Sequence, residues 1–286
     1  MLTARIVVLN YNGEEILQKC IPSLIQAVKG STHTVALTVL DNCSTDSSKK
    51  VMSENFPEVD YVEADENLVL CSYNDYVKNM KEDVAILLNN DIRVAEDFID
   101  PMLKLFQENE KLFLVAPLVK SFDGTEIEAA RTKTGLKWGM FWATARYEGY
   151  LNDYLQHSET DSSGFGAFSV KLFNQLGGYD SRYLPGTLED IDICYRAKKE
   201  GWKLLYEPKS IVYHMGQTSF KKKYGLNKTA ILAQRNTFYF MWKNFSGFQF
   251  WVKHLFFVPL RLIFALFTGR INFLIGFWYA LTGKKI

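Results

Sequence analysis

The chain has 286 residues, 48% of them hydrophobic and 23% charged, with a formal net charge of +1. That length supports one large domain or two small ones, and the composition excludes a chain without a real apolar core. The near-zero charge hides an asymmetry: residues 1–207 carry 21 basic and 32 acidic side chains, whereas residues 208–286 carry 12 basic and no acidic ones.

In chain order, the apolar run at residues 6–9 ends in Asn10-Tyr11-Asn12-Gly13, and Ile16, Leu17, Ile21, Leu24, Ile25 and Val28 then recur at helical intervals. The opening reads strand, loop, helix, and the pattern repeats. Residues 35–40 predict a strand that runs into Asp41-Asn42-Cys43-Ser44-Thr45-Asp46, where Ser or Asp caps the next helix. Tyr61 and Val62 lead to Asn67 and a segment ending in Asn74, and residues 84–88 lead to Asn89-Asn90-Asp91. Apolar strands alternating with helices predict a mostly parallel sheet covered on both faces. Ligands of such sheets lie beyond the carboxyl ends of the strands, where Asn10, Asp41 and Asp91 all fall. A carboxylate there can pair with a pyrimidine ring N–H or with ribose hydroxyls, and Asp91 can hold a divalent cation whose other positions go to diphosphate oxygens. Asp41-Asn42-x-Ser44 is equally ordinary turn chemistry, so taken singly it does not decide between capping and binding.

Residues 119–160 carry Gly124, Gly135, Gly139 and Gly149 among Lys137, Trp138, Trp142 and Arg146. They read as an excursion on the open side of the sheet, either a packed flap or a surface that stacks on sugar or touches lipid. Beyond Ser163, Gly166 and Ala167 are small enough to bring backbone close to a ligand. Gly177-Gly178-Tyr179-Asp180 follows, and Glu189, Asp190 and Asp192 then open a short helix that carries Arg196. Negative charge is stabilised at a helix start, and the i,i+4 spacing of Asp192 and Arg196 predicts an ion pair. Residues 203–206 predict another strand, Pro208 punctuates, and residues 211–213 deliver His214. A lone histidine after an apolar run is usually structural, so a functional role requires that it meet Asp91.

From Thr229 onward the chain reads as helical and densely aromatic. Its longest uncharged run, residues 271–283, is 13 residues. A membrane span needs ~18–20, so the expectation is a helix pair lying in a membrane interface rather than crossing it. Basic residues without acids suit an anionic inner leaflet, at about 1 kcal/mol each near the surface. A dimerisation surface or core helices are the alternative. The expected division is 1–225 for the α/β part and 226–286 for the membrane-associating helices. Cys20, Cys43, Cys71 and Cys194 have no Cys-x-x-Cys spacing, which fits reduced thiols and the cytosolic side. The N-terminus enters its first strand almost directly, and no export signal is expected.

Val7-Val8-Leu9-Asn10-Tyr11-Asn12, Asp41-Asn42-x-Ser44-x-Asp46, Asn67 to Asn74, Asn89-Asn90-Asp91, Gly166-Ala167, Gly177-Gly178-Tyr179-Asp180, Glu189-Asp190-x-Asp192 with Arg196, and His214 occur in this order. Together they resemble the family 2 glycosyltransferases, particularly the branch of bacterial rhamnosyl- and galactofuranosyltransferases of cell-surface polysaccharides, over most of the chain. The resemblance implies an α/β fold of GT-A (Rossmann-like) type, a mostly parallel sheet sandwiched by helices, with the C-terminal aromatic and basic helices added. It implies that Asn10, Asn12, Asp41, Asn42, Asn67, Asn74 and Asn90 bind a nucleoside-diphosphate sugar, a UDP- or dTDP-sugar. It further implies that Asp91 and His214 hold Mn2+ or Mg2+, that Asp190 is the catalytic base, and that Gly166, Ala167, Glu189, Asp192 and Arg196 support the acceptor. Two departures stand out. The branch usually has a Gly-rich run after Asn67, where this chain has Leu68-Val69-Leu70-Cys71-Ser72-Tyr73, and Asn89-Asn90-Asp91 holds one carboxylate where many relatives have two.

The implied reaction is an inverting transfer to a hydroxyl of a glycan or lipid-linked acceptor, at the cytoplasmic face of the plasma membrane, by a peripheral enzyme on an anionic membrane surface. The Gln-x-x-Arg-Trp motif of processive synthases is absent, which favours addition of one or few sugars. Nucleic acid is not an expected partner, and a homodimer through the C-terminal helices is the other use of the tail. Two rivals are a nucleotidyltransferase, which needs a Gly-rich basic loop where this chain has the acidic residues 10–15, and an inactive membrane-bound scaffold of the same fold.

Overall fold

The computed structural model of the chain describes residues 2–216, 219–284 and 286; Lys285 and the side chains of Lys221, Lys222 and Lys223, part of the basic tail, lie outside the described residues. The first half follows the expected alternation: β1 (Thr3–Asn10), α1 (Glu14–Gly30), β2 (Thr34–Asp41), α2 (Ser48–Asn55), β3 (Asp60–Glu63), α3 (Ser72–Asn79) and β4 (Val84–Asn89). In α1 the residues Leu17, Cys20, Ile21, Leu24 and Ala27 recur every three or four positions, and that stripe is the buried face. β1 pairs in parallel with β2 and β4, setting Asn10 opposite Asp41 and Leu9 opposite Asn89, so the polar strand ends share one edge. Side chains alternate across a strand, which gives the sheet two apolar faces. Ile6 and Val8 join Leu17, Ile21 and Leu24 on one side. Val7 and Leu9 join Tyr73, Val77 and Ile193 on the other.

The chain continues through β5 (Ile92–Val94), α4 (Ile99–Glu108), β6 (Leu112–Ser121), β7 (Ile127–Ala129), β8 (Lys133–Lys137), β9 (Met140–Thr144), α5 (Tyr150–Asp153), β10 (Ser158–Glu159), β11 (Gly166–Ser169), α6 (Val170–Gln175), α7 (Glu189–Lys199) and β12 (Lys203–His214). The main sheet runs β10–β12–β6–β11–β4–β1–β2–β3, with β5 added to β12 and β7 to β6. β11 lies antiparallel between β4 and β6, while β6 and β12 are parallel to each other. The mostly parallel sheet with helices on both faces is thus the observed architecture. The excursion at 119–160 forms β7, the separate β8–β9 hairpin, α5 and β10.

Two expectations are corrected. Residues 203–214 form one strand rather than two: Pro208, with no N–H for the ladder, sits in a register shift between Glu207 and Ile211. Gly166 and Ala167 are small because of the sheet rather than a ligand. A Cβ on Gly166, whose φ is +145°, would stand 2.4 Å from the Val115 carbonyl oxygen, and Ala167 is fully buried.

Three helices complete the chain: α8 (Ser219–Asn244), interrupted at Gly225, α9 (Phe248–Phe267) and α10 (Ile271–Thr282). Phe238, Phe240, Phe250, Val258 and Ala280 of these helices share one apolar cluster with Met140 and Tyr183. The tail is therefore packed on the α/β part. Among the described residues α9 is the one helix long and apolar enough to cross a membrane, by length and composition alone. The uncharged-run criterion missed it because Lys253 and Arg261 interrupt the segment. Its Phe250, His254, Val258 and Ala265 face inward, and Phe248, Leu255, Phe256, Ile263 and Phe267 are exposed.

Candidate active site

The carboxyl ends of β1 and β4, the start of α7 and the end of β12 border a cleft of about 520 Å³. Of the residues expected there, Asn10, Asn42, Asn67, Asn90, Asp91, Glu189, Asp190 and His214 line it. Asn10 is completely buried and links three loops. Its Nδ2 donates to Asp41 Oδ1 (2.8 Å) and Ser44 Oγ (3.2 Å), and its Oδ1 accepts from Asn90 Nδ2 (2.8 Å). Gly13 permits this packing, since a Cβ there would stand 2.2 Å from Asn90 Nδ2. Asn67 Oδ1 accepts from the Val69 N–H (3.2 Å), and the Asn42 amide lies 2.5 Å from Ser72 Oγ. Val69 also lines the cleft, with a left-handed φ of +52° in the segment where the branch carries glycine.

The other expected polar residues do not line the cleft, and their side chains bond within the protein. Asp41 is buried, and it accepts from Ser44 Oγ (2.6 Å) and the Ser44 N–H (2.7 Å), the turn-forming alternative. Asn12 Oδ1 accepts from the Thr45 N–H (2.7 Å). Asn74 bonds the Tyr179 backbone twice, at 2.8 Å each, fixing the loop after Gly177-Gly178. Asp192 is fully buried and accepts from the Tyr183 hydroxyl (2.8 Å), Lys243 Nζ (2.9 Å) and Asn244 Nδ2 (2.8 Å). Its predicted ion pair with Arg196 forms at 2.7 Å, and Arg196 also donates to the carbonyls of Leu176 and Gly178. Neither of these two residues lines the cleft.

The condition set for His214 is met by strand pairing. β5 pairs antiparallel with β12 so that Ile92 lies opposite His214, and the Met215 N–H donates to the Asp91 carbonyl (3.0 Å). His214 Nε2 then stands 3.4 Å from Asp91 Oδ2. Its Nδ1 is 2.8 Å from Glu128 Oε2, delivered by β7. Burial pulls the His214 pKa down, but the hydrogen bonds and charges of Asp91 and Glu128 overcome it and raise it to about 9. Asp91 Oδ1 is buried with no partner. An orphaned carboxylate oxygen beside an imidazole nitrogen, whose second nitrogen is held by another carboxylate, suits a divalent cation. Among the described residues no third His, Cys, Asp or Glu completes a closed cage; Glu128 is spent on the far ring nitrogen. Such an open pair suits a cation that shares its remaining positions with a phosphate-bearing substrate.

Glu189 and Asp190 begin α7 and both line the cleft. Burial, then the neighbouring Asp190 charge, pushes Glu189 up to about 8, and its Oε2 is buried without a partner. Burial also raises Asp190, opposed by the Ile191 N–H. The loop before them is unusual: Thr187 (φ +79°) and Leu188 (φ +69°) are both left-handed. Asn236 of α8, fully buried, holds that loop by donating from Nδ2 to the carbonyls of Tyr183 (2.8 Å), Gly186 (2.8 Å) and Thr187 (2.9 Å). Sequence reading missed Glu128, Asn236 and Lys243. None has a local signal: Glu128 is one acid in the excursion, and the other two sit in an aromatic helix.

A parallel sheet whose carboxyl edge gathers these polar residues, with an antiparallel strand before its second parallel pair, defines a GT-A-type fold. It is similar to GalNAc-T7 solved with UDP, GalNAc and Mn2+, at a TM-score of 0.60 and 18% identity over 75% of this chain and 43% of that one. It is also similar to residues 1–349 of S. aureus TarS, at a TM-score of 0.56 and 11% identity over 89% and 71% of the respective chains. The chain thus spans less than half the length of GalNAc-T7. Residues 5–177 match the model of "Glycosyl transferase family 2", and the chain belongs to that family: it is a glycosyltransferase. It is 25% identical, over 73% of its length and 75% of the relative's, to N-acetylglucosaminyl-diphospho-decaprenol L-rhamnosyltransferase of Mycobacterium tuberculosis.

Proposed function

We propose that this glycosyltransferase moves a sugar, with inversion, from a UDP- or dTDP-sugar to a hydroxyl of a glycan or lipid-linked acceptor in cell-surface polysaccharide synthesis. The observation that carries the reading is the meeting of Asp91, His214 and Asp190, from three separate stretches of chain, at one cleft. The mycobacterial relative's diphospho-decaprenol acceptor supports a lipid-linked one here. Asp91 and His214 are the residues that would hold Mn2+ or Mg2+, which when bound neutralises diphosphate charge. Asp190 takes the proton of the acceptor hydroxyl as that oxygen bonds to the anomeric carbon. The electron pair of the breaking bond leaves with the nucleoside diphosphate on the opposite face. Glu189, kept neutral near pH 7 by burial, is the poorer base. Asn10, Asn42, Asn67 and Asn90 form the wall for the nucleoside. Residues 1–225 carry binding and catalysis, and 226–286 hold the cleft at the cytoplasmic face of the plasma membrane, peripherally. The basic, acid-free tail and the exposed side chains of α9 support that placement.

The test is a panel of nucleotide-sugars with and without Mn2+, read by thermal shift and by slow donor hydrolysis. One donor should raise the melting temperature only with Mn2+, by mass action worth about 2.7 kcal/mol at a hundred times its Kd. A panel in which no donor stabilises the chain or is hydrolysed rejects the reading. Consumption of a nucleoside triphosphate with a sugar phosphate would make it a nucleotidyltransferase.

A further inference from the structure

A larger cavity, about 730 Å³, lies between α8, α9 and α10, bordered by Arg261, Phe264, Arg270, Asn272, Asn227 and Gln234. Its charged groups are the two guanidiniums, and the tail that surrounds them holds no carboxylate to neutralise them. Arg261 reaches the Lys137 carbonyl only at 3.4 Å from Nη2, and its Nε is buried with no partner. A buried donor atom left unpaired is costly, so this half-buried arginine is poised for an acceptor that the protein itself does not supply. Arg270 lies over the Phe264 ring, 5.2 Å from its centroid, which leaves its planar fork free to turn toward an anion. The start of α10 borders the same cavity and no side chain caps its first turn, so the positive helix end adds to the two charges, although the Ile271 and Phe273 N–H groups are bonded to the Gly269 and Arg270 carbonyls.

Position narrows the anion. Tyr224 lines the catalytic cleft just before the interruption of α8 at Gly225, and Asn227 to Gln234 just after it line this groove over about 10 Å of helix. On the outer side the exposed Phe264, Phe267 and Ile271 continue the groove as an apolar strip. A phosphoryl site thus stands between a sugar-transfer cleft and a surface suited to hydrocarbon. We propose that the groove binds the diphosphate of a prenyl-diphosphate-linked acceptor, its sugar toward the cleft and its hydrocarbon along α9 and α10. This rests on the lipid-linked acceptor proposed above. Two guanidiniums beside a positive helix end match a diphosphate, whose several oxygens accept bidentate hydrogen bonds.

The test titrates farnesyl diphosphate, farnesol and inorganic pyrophosphate into the full chain in detergent micelles, without divalent cation so that a metal-dependent donor site stays silent. Farnesyl diphosphate should bind at least tenfold more tightly than either of the others. The double variant Arg261→Gln, Arg270→Gln should bring it down to the level of farnesol. Asn272→Asp is the second arm: an acid in the first turn of α10 favours the helix, so the fold is retained while the added charge repels a diphosphate. It should weaken farnesyl diphosphate at least fivefold and leave farnesol unchanged. Equal binding of farnesyl diphosphate and farnesol overturns the proposal, as do variants with parental affinity. Pyrophosphate bound as tightly as farnesyl diphosphate overturns the lipid source in favour of a free phosphate ligand. A chain that hydrolyses a nucleotide-sugar but fails this titration loses only the groove, whereas one that hydrolyses no donor loses the functional reading itself.

Discussion

Glu189 and Asp190 are adjacent in sequence yet differ in setting, since Glu189 is 6% exposed while Asp190 is half-buried. Asp190→Asn keeps the shape of the side chain and removes the proton acceptor. Donor-dependent thermal stabilisation should survive while transfer falls by ~10²–10⁴; a variant within a few-fold of the parent moves the base elsewhere. Glu189 gives a pH signature. Its pKa is raised from 4.5 to about 8 in the fold, so the folded state keeps a proton that the unfolded state releases. Its contribution is full below the unfolded pKa and is lost as pH rises through the folded one, at about 1.36 kcal/mol per unit between them. In denaturant unfolding, Glu189→Gln should therefore be more stable than the parent at pH 8, with the gap closing toward pH 5. A gap that widens toward acid would mean that Glu189 is ionised in the fold. Glu128 acts through His214, so Glu128→Ala should weaken Mn2+ binding, read by the free-ion electron paramagnetic resonance signal, by ~10–100-fold. Undiminished Mn2+ affinity would reduce it to a structural neighbour.

Among the elements, α8 sets the loop before α7, because Asn236 donates to three carbonyls of that segment. Asn236→Ala takes the side-chain donor from the Gly186 and Thr187 carbonyls at ~1–3 kcal/mol each, while the Tyr183 carbonyl keeps the Gly186 N–H, and Thr187 and Leu188 lose the restraint that holds them left-handed. Unfolding should show a loss above ~2 kcal/mol, and transfer should drop more than donor binding does. A variant as stable as the parent would mean that water replaces the amide. How much of this was legible follows from distance along the chain. β1 to β4 were readable because each apolar run and the polar residues that end it are neighbours in sequence. The meeting of Asp91 with His214 depends on β5 pairing with β12, and that of His214 with Glu128 on β7, and neither pairing leaves a local pattern. Asn74 and Asp41 are ambiguous for another reason: amides and carboxylates that pin a loop from behind are the same residue types that would bind a ligand in front. Pro208 misled by its local meaning, since a bulge carries the strand through it.

At the scale of the whole molecule, the tail and α7 form one packed unit. Lys243 bonds both Asp180 (2.6 Å) and Asp192 (2.9 Å), and the α9 and α10 aromatics share a cluster with Tyr183. Removing the tail would open that cluster, so membrane attachment is better tested on the exposed face, at Leu255 (66% exposed), Phe256 (62%) and Phe267 (87%). Two contributions are separable. Attraction of the 12 basic side chains to anionic lipid weakens as the Debye length shrinks from ~10 Å at 0.1 M salt to ~3 Å at 1 M, whereas burial of the apolar side chains does not. In co-sedimentation with vesicles of graded anionic lipid content, the parent should bind more with each increment at low salt and remain partly bound at 1 M. The triple variant Leu255→Glu, Phe256→Glu, Phe267→Glu should be released fully at 1 M, because its apolar contribution is gone and repulsion is added. Retention of that variant at high salt would assign the attachment to another surface. Full recovery of the parent in the soluble fraction at low salt would end the membrane reading, and sedimentation velocity would then be expected to find the same face buried between two copies of the chain.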